Sequence, residues 1–136
     1  MEARWETDAA RLATIRRKVF IEEQGVSEAL EWDGLDADAV HVLALAGDTP
    51  VGCGRLLASG KIGRMAVLPA WREKGIGSAL LDRLLDLCRA QGLVRVSLAA
   101  QVTAIPFYQR AGFAVCSPEF DDAGIPHRKM QLALSP

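Results

Sequence analysis

The sequence predicts a mixed α/β domain, and three observations lead to this fold class. Short apolar segments separated by turn residues follow one another in the first half of the chain, which is typical of antiparallel strands. A long amphipathic segment comes next and a buried strand follows it directly, in the order of a strand–helix–strand unit. The length of 136 residues is that of one domain. We therefore expect a single domain over residues 1–136 that joins an antiparallel meander to a parallel strand pair.

The first predicted element is a helix over residues 8–24, because its apolar residues recur at helical spacing with charged residues on another face. Thr7 or Asp8 can cap the start of this helix, and Gly25 can close its end. Residues 26–39 carry many acidic side chains without a clear period. They predict a loop or a short helix with negative charge. This charge either forms a solvated surface or attracts a cationic substrate.

Three strands are predicted next. Residues 40–46 are apolar, and the turn sequence Gly47-Asp48-Thr49-Pro50 leads from them into residues 51–58. A second turn at residues 59–61 leads into residues 62–68. These segments predict a three-stranded meander at the centre of the sheet.

The strongest helical pattern covers residues 75–91, where one stripe is apolar and the opposite face is charged. Gly92 ends this helix, and residues 93–99 have the composition of a buried strand. A strand, a helix and a strand in this order predict a parallel pair between residues 62–68 and 93–99, with a right-handed crossover.

The chain closes with a short helix and two strands. Residues 102–111 predict the helix, which Gly112 ends. Residues 113–116 and 127–134 predict strands. The intervening residues 117–126 are rich in Asp, Gly and Pro and predict a loop.

The composition excludes several classes of protein. Half of the residues are hydrophobic and 24% are charged, which is incompatible with intrinsic disorder. The 16 Lys and Arg residues against 17 Asp and Glu residues give a net charge of −1. This balance offers no basic field for a phosphate backbone, so we expect no nucleic-acid partner.

The cysteines and the distribution of charge indicate the compartment. Three widely spaced cysteines and two histidines argue against a disulfide framework and against a zinc site, so we expect no metal. Charged residues in the first dozen positions leave no room for a signal peptide, and no apolar run approaches the ~20 residues that cross a bilayer. We expect a cytoplasmic protein without a membrane partner.

Residues 63–78 carry the most informative chemistry, because a strand there enters a glycine-containing turn that opens a helix. The free amides of a first helical turn and the helix dipole together bind phosphate. Gly75 and Gly77 allow a bulky anion to approach the backbone, and Arg72 and Lys74 add positive charge. The dinucleotide fingerprint and the P-loop both fail to match here.

Two separated motifs carry a resemblance to a known family. Arg72, Gly75 and Gly77 form the pattern R-x-x-G-x-G, and residues 106–113 read Pro-Phe-Tyr-Gln-Arg-Ala-Gly-Phe. In this order they resemble the GNAT-type N-acetyltransferase superfamily. Further residues resemble its ElaA-like branch: Arg16, Val19, Phe20, Glu23, Gln24, Asp33, Asp36, His41, Ala100, Gln101 and residues 124–127. Gln101 departs from the superfamily, in which many members carry Asn at this place.

The resemblance implies an acyl-CoA N-acyltransferase fold, with a mostly antiparallel sheet, one splayed parallel pair and flanking helices. It also implies acetyl-CoA as the co-substrate, and many relatives are homodimers. The residues that it assigns to acetyl-CoA are Met65, Ala66, Val67, Arg72, Glu73, Lys74, Gly75, Ile76, Gly77, Ser78, Gln101 and Tyr108.

By the same resemblance, Tyr108 lies near the cofactor sulfur, where a phenol can protonate the departing thiolate. The amide of Val67 is the expected oxyanion donor. The base is not fixed by spacing: Glu23 comes first, a water relay fits equally well, and the other candidates are Glu28, Glu31, Asp33, His41 and His127. The residues expected to contact the acceptor are Gln24, Trp32 and His127.

The expected function is therefore transfer of acetyl from acetyl-CoA to a primary amine of a small molecule by direct attack. No Cys or Ser has a His partner suggested by the sequence, which disfavours a covalent intermediate. Two rivals stay open. One is a catalytically silent module that binds acyl-CoA, and the other is a general binder of nucleotide phosphates.

Overall fold

The computed structural model describes residues 1–134 of the chain and contains one eight-stranded sheet between helices. The strands are β1 (Glu2–Ala3), β2 (Val40–Ala46), β3 (Thr49–Leu56), β4 (Lys61–Val67), β5 (Arg95–Gln101), β6 (Ala114–Val115), β7 (Phe120–Asp122) and β8 (Ile125–Ala133). The helices are α1 (Trp5–Arg16), α2 (Glu28–Glu31), α3 (Ile76–Ala90) and α4 (Ile105–Arg110). The strand order is β1-β2-β3-β4-β5-β8-β6, and β7 pairs with β8.

The first helix begins at Trp5, so the predicted caps Thr7 and Asp8 lie inside its first turn. Asp8 reaches back instead, and its Oδ2 accepts the N–H of Arg4 at 3.1 Å. After α1 the backbone continues as a wider π-helical segment over Arg17–Glu23, and Gly25 with φ +72° ends it as predicted. Residues 28–31 form the short helix that was one of the two expectations for the acidic segment.

The meander of β2, β3 and β4 and the parallel pairing of β4 with β5 are both confirmed. The hairpin turn is shorter than predicted, because Thr49 and Pro50 already belong to β3 and pair with Ala46 and Leu45. Residues 61–62 are the only part of β4 that pairs with β5, opposite residues 97–98. Beyond this point the two strands diverge, so the sheet opens into a wedge.

A bulge in β4 precedes the wedge. The register between β3 and β4 shifts between Cys53 and Arg55, and Arg64 there adopts the left-handed conformation with φ +51°. An extra residue in one strand bends that strand and increases its twist. The bulge therefore contributes to the divergence of β4 from β5.

The last part of the chain forms an antiparallel unit on β5. All seven residues of β5 pair with β8, from Arg95 opposite Ala133 to Gln101 opposite His127. Residues 120–122, expected to be loop, form β7 and pair with the start of β8. This strand is short and exposed and reads Phe-Asp-Asp, so it lacks the apolar alternation by which a strand is recognised.

Apolar side chains fill both faces of the sheet. The larger core lies under α3, where Leu80, Leu81 and Leu84 are buried, and a smaller one lies under α1 around Leu12 and Ile15. Within residues 1–134, no helix combines the length and the apolar character needed to span a bilayer.

Candidate active site

A cleft of about 710 Å³ lies where β4 and β5 diverge. Its walls come from β4, β5, α4, the end of the π-helical segment and the turn between β7 and β8. The predicted site residues that line it are Gln24, Met65, Ala66, Val67, Arg72, Gly77, Gln101, Tyr108 and His127. Residues from five separate parts of the sequence are thus brought to one cavity.

The start of α3 forms one end of this region. The first backbone bond of the helix runs from Ala79 N to Gly75 O at 3.1 Å, and no side chain within residues 1–134 caps the helix. The amides of the first turn, residues 76–78, therefore have no helical partner, as a phosphate site requires. Gly75 takes φ +82°, which glycine adopts freely, and Glu73 takes φ +63°, a strained conformation for a residue with a side chain. Lys74 lies exposed between them.

Arg72 connects this loop to the first helical segment. Its Nε donates to Val67 O at 2.9 Å, and its two terminal nitrogens donate to the carboxylate of Glu23 at 2.7 and 2.6 Å. The hydrogen bond from Arg72 lowers the pKa of Glu23 against the weaker opposite effect of burial, and the same bond raises the pKa of Arg72. Glu23 does not itself line the cleft, and this pairing makes its carboxylate a weaker base.

The amide of Val67 points into the wedge. Leu68 donates its N–H to Val51 O at 2.9 Å, and Val67 lies opposite Gly52 in the antiparallel register. Hydrogen-bonded and non-bonded pairs alternate along such a ladder, so the N–H of Val67 faces away from β3. This N–H is directed toward the gap that β5 leaves open.

Tyr108 is buried at the wall of the cleft and held by aromatic neighbours. Its ring meets those of Phe107 and Phe113 edge to face, at centroid distances of 5.0 and 5.9 Å. Burial raises the pKa of Tyr108 to about 12. The hydroxyl is therefore protonated throughout the neutral range.

Two amide side chains join the walls of the cleft. Gln101 Nε2, at the end of β5, donates to Gln24 Oε1 at 2.8 Å. Gln24 follows the π-helical segment, so this bond links two elements 77 residues apart in sequence. Gln101, the residue that departs from the superfamily pattern, thus lies at the cleft with a defined partner.

His127 lies beside Gln101 on the neighbouring strand β8 and lines the same cleft. Its Nδ1 lies 2.7 Å from the carbonyl oxygen of Ile125. Its ring stacks on that of Phe120, with centroids 6.1 Å apart and 25° between the planes. Backbone and aromatic contacts together hold the imidazole in place.

A largely buried group of six charged side chains adjoins the cleft, four of which line it, and sequence reasoning missed this group. We call it the arginine–carboxylate cluster; its members are Arg16, Arg55, Arg64, Glu31, Asp33 and Asp36. Arg16 donates to Glu31 and to Asp36, each at 2.6 Å. Arg55 bridges Asp36 at 3.1 Å and Asp33 at 2.9 Å. Three positive and three negative side chains therefore compensate one another.

The cluster corrects the expectation for the acidic segment. Glu31 and Asp36 are buried rather than solvated, and Asp33 is bound by Arg55. Burial raises the pKa of Asp33, but the hydrogen bonds and charge of Arg55 outweigh it and lower the pKa to about 2. These carboxylates offer no free negative charge to a substrate. Their arginine partners lie far away in sequence, so no local pattern could have revealed the pairing.

Two other candidates lie outside the cleft. Trp32, expected to contact the acceptor, stacks instead under the guanidinium groups of Arg16 at 5.0 Å and Arg17 at 5.7 Å. His41 is buried, with Nε2 2.9 Å from the carbonyl oxygen of Asp36. Burial lowers the pKa of His41. Both residues therefore serve the packing around the arginine–carboxylate cluster.

The comparisons of this sequence with known proteins agree on one family. The sequence profile of the acetyltransferase (GNAT) domain matches residues 7–134. The uncharacterized N-acetyltransferase YjcF of Bacillus subtilis is 38% identical over 85% of this chain and 86% of that protein. ElaA of Escherichia coli is 32% identical over 85% of this chain and 81% of that protein.

Solved structures agree with the sequence comparison. The crystal structure of E. coli ElaA superposes with a TM-score of 0.86 over 96% of each chain, at 28% identity. An acyl-CoA N-acyltransferase from Pseudomonas aeruginosa also gives 0.86, over 98% of each chain at 29% identity. The predicted fold, with one parallel pair in a mostly antiparallel sheet, is confirmed. A chain with this wedge, this helix start and these relatives belongs to the GNAT acetyltransferase family, in its ElaA-like branch.

Proposed function

We propose that this protein is an N-acetyltransferase that moves the acetyl group of acetyl-CoA to a primary amine of a small molecule by direct attack. The single observation that carries the proposal is the cleft, which joins the uncapped start of α3, the open edge of β4 and the buried Tyr108. Membership of the GNAT family and the likeness to an acyl-CoA N-acyltransferase support it.

The start of α3 suits the pyrophosphate of coenzyme A. The free amides of residues 76–78 and the positive end of the helix dipole attract phosphate oxygens. Lys74 adds positive charge beside them, and Arg72 lies next to it with its charge balanced by Glu23. A methyl group added at Gly77 would lie 3.4 Å from the ring of Phe107, so this side of the glycine packs closely against α4. Glu73 and Ser78 complete the loop and the first turn.

The open edges of β4 and β5 suit the extended arm of the cofactor. Residues 65–67 on β4 and Gln101 on β5 lie where the strands no longer pair with each other. Their free backbone groups can pair with an extended ligand as with an added strand. Bound in this way, acetyl-CoA supplies the thioester that the amine attacks.

Two groups of the chain then act on the developing charges. The N–H of Val67 faces the wedge and donates to the oxygen that becomes negative during the attack. The hydroxyl of Tyr108 donates a proton to the departing sulfur, because its high pKa keeps it protonated until a thiolate forms. Glu23 is the first base that the sequence suggested, and a water relay is the alternative; the pairing of Glu23 with Arg72 weakens the case for its carboxylate.

Beside the arginine–carboxylate cluster, apolar side chains line the cleft, among them Phe20, Val26, Leu30 and Leu35. Leu30 and Leu35 are 57% and 48% exposed. Together with the compensated charges of the arginine–carboxylate cluster, they favour an amine on a compact, largely apolar body over a polyamine. The three free cysteines favour a reducing compartment, so we place the activity in the cytoplasm.

The proposal is tested by mixing the purified protein with acetyl-CoA and a panel of primary amines and detecting the free thiol. We expect at least one amine to give saturable release of coenzyme A. In the variant Tyr108→Phe, kcat should fall by ~10²–10⁴-fold, the range of general acid catalysis, while calorimetry gives an unchanged Kd for coenzyme A.

The rivals give different results in the same experiments. A silent acyl-CoA-binding module binds acetyl-CoA but releases no thiol with any amine. A general binder of nucleotide phosphates binds ATP as tightly as coenzyme A. Either result would overturn the proposed activity.

A further inference from the structure

We propose that the imidazole of His127, and not the carboxylate of Glu23, accepts the proton that the attacking amine loses. This inference rests on the proposed N-acetyltransferase activity and assigns its base. It follows from the hydrogen bonding of the ring, its position in the cleft and the pairing of the competing groups.

The backbone fixes the tautomer of His127. Nδ1 lies 2.7 Å from the carbonyl oxygen of Ile125, and a carbonyl oxygen can only accept a hydrogen bond. The neutral ring therefore carries its proton on Nδ1, and its lone pair is on Nε2. An orienting acceptor behind one nitrogen and a free lone pair on the other is the arrangement that a general base requires.

The lone pair is accessible from the cleft. His127 lines the cavity, and Nε2 has no hydrogen-bond partner among residues 1–134. A few side-chain nitrogens of this structure are fully enclosed by protein and lack a hydrogen-bond partner, but Nε2 of His127 is not one of them. It is therefore not enclosed by protein. Stacking on Phe120 limits rotation of the ring. His127 as a whole is largely buried, so the base is held in one orientation in the wall of the cleft.

The competing groups of the cleft are engaged or exposed. Glu23 is bound by both terminal nitrogens of Arg72, which lowers its pKa. Glu31 and Asp33 are bound within the arginine–carboxylate cluster. Asp122 lines the cleft from β7, but it is exposed, and no hydrogen bond within residues 1–134 orients its carboxylate.

Uncharged residues flank His127 on the neighbouring strands. Its partner on β5 is Gln101 and its partner on β7 is Phe120. The charged residues of these three strands are Arg95 on β5, Asp121 and Asp122 on β7, and Arg128 and Lys129 on β8. No charged side chain therefore occupies the positions directly opposite His127 in the sheet.

The proton balance closes with this assignment. The amine nitrogen forms a bond to the thioester carbon, and the proton that the nitrogen loses passes to Nε2 of His127. The carbon–sulfur bond then breaks with its electron pair on sulfur, and the sulfur takes the proton of Tyr108. The products are the amide and the free thiol, and the His127 proton is returned to the Tyr108 oxygen through solvent.

The test is the pH dependence of kcat/KM in two matched variants. We expect an acid limb in the parent protein whose midpoint equals the titration midpoint of His127 measured by NMR. Because the chain holds two histidines, the imidazole signal that disappears in His127→Gln identifies it. His127→Gln should lower kcat by ~10²–10⁴-fold and remove the acid limb, with the Kd for coenzyme A unchanged. Glu23→Gln frees Arg72 and so changes the KM for acetyl-CoA, but it keeps the limb.

A rescue experiment separates catalysis from structure. Added imidazole should restore part of the activity of His127→Ala, which a purely structural role would not allow. Loss of the acid limb in Glu23→Gln, or its persistence in an active His127→Gln, would overturn the assignment of the base alone. A parent protein that acetylates no amine would overturn the proposed function, and the base with it.

Discussion

The arginine–carboxylate cluster gives the sharpest prediction about stability. In Arg16→Met a side chain of similar volume replaces the guanidinium, so the change removes charge and hydrogen bonds without opening a large cavity. Arg16 makes two contacts of 2.6 Å with Glu31 and Asp36, and all three side chains are at least nine-tenths buried. Removing one partner of a buried ion pair leaves the other charge uncompensated, at a cost of about 3–5 kcal/mol.

The magnitude can be measured by urea unfolding. With a slope of about 2 kcal/mol per molar urea, a loss of 4 kcal/mol lowers the midpoint by about 2 M at unchanged slope. Because Glu31 keeps a contact with Arg64 and Asp36 keeps one with Arg55, we expect the lower half of the range.

The adjacent residue supplies a matched control. Arg17 also pairs with a carboxylate, that of Glu28 at 2.8 Å, but both side chains are exposed. Exposed ion pairs contribute little, so Arg17→Met should shift the midpoint by a small fraction of the Arg16 effect. Equal midpoints for Arg16→Met and Arg17→Met would refute the reasoning that burial makes these contacts costly to break.

Three further predictions concern the phosphate site and acid stability. Arg72→Gln should raise the Kd for coenzyme A in calorimetry by roughly 10–100-fold, the effect of losing a hydrogen bond to a charged group; an unchanged Kd would contradict this. Gly77→Ala should change the free energy of unfolding by less than ~1 kcal/mol, because the new methyl group only touches Phe107, but it should raise the Kd for coenzyme A. A loss of stability without a change in this Kd would show that the glycine serves folding. The pKa of Asp33 is 3.8 when unperturbed and about 2 in the folded protein, so its stabilising effect is present above pH 3.8 and lost as the pH falls toward 2. The urea midpoint of Asp33→Asn should therefore be lower at pH 7 and change less between pH 4 and pH 2, and parallel curves would argue against the Arg55 pairing.

The parts of the fold that local patterns encode could be predicted. Helix α3, the meander and the parallel pair each follow from apolar periodicity and turn residues within a short window. The π-helical widening at residues 17–23 and the bulge at Arg64 could not, because each is a local irregularity inside an element whose apolar pattern is otherwise regular. Strand β7 could not either, because it forms a tight hairpin with β8 from exposed residues without apolar alternation. The start of α1 at Trp5 was missed because the side chain of Arg4, the residue before it, makes no capping hydrogen bond in the described part of the chain. Instead, the side chain of Asp8 in the first turn accepts the backbone N–H of Arg4.

The candidate site likewise has one part that could be predicted from local sequence and another that could not. The phosphate loop is contiguous in sequence, and its glycines and cations indicate its chemistry directly. The contact between Gln24 and Gln101, the pairing of Arg72 with Glu23 and the arginine–carboxylate cluster join residues 15 to 77 positions apart. Only the folded arrangement shows which of several carboxylates and histidines are engaged and which are free.

The wedge between β4 and β5 has a consequence for association. An unpaired strand edge is normally a hazard, because it presents free N–H and C=O groups to any other chain that can add a strand. Here the two free edges belong to central strands and face each other, between α4 and the π-helical segment. Only a slender, extended ligand has access to them, so the same geometry that leaves the backbone available for recognition also protects it from aggregation through these strands.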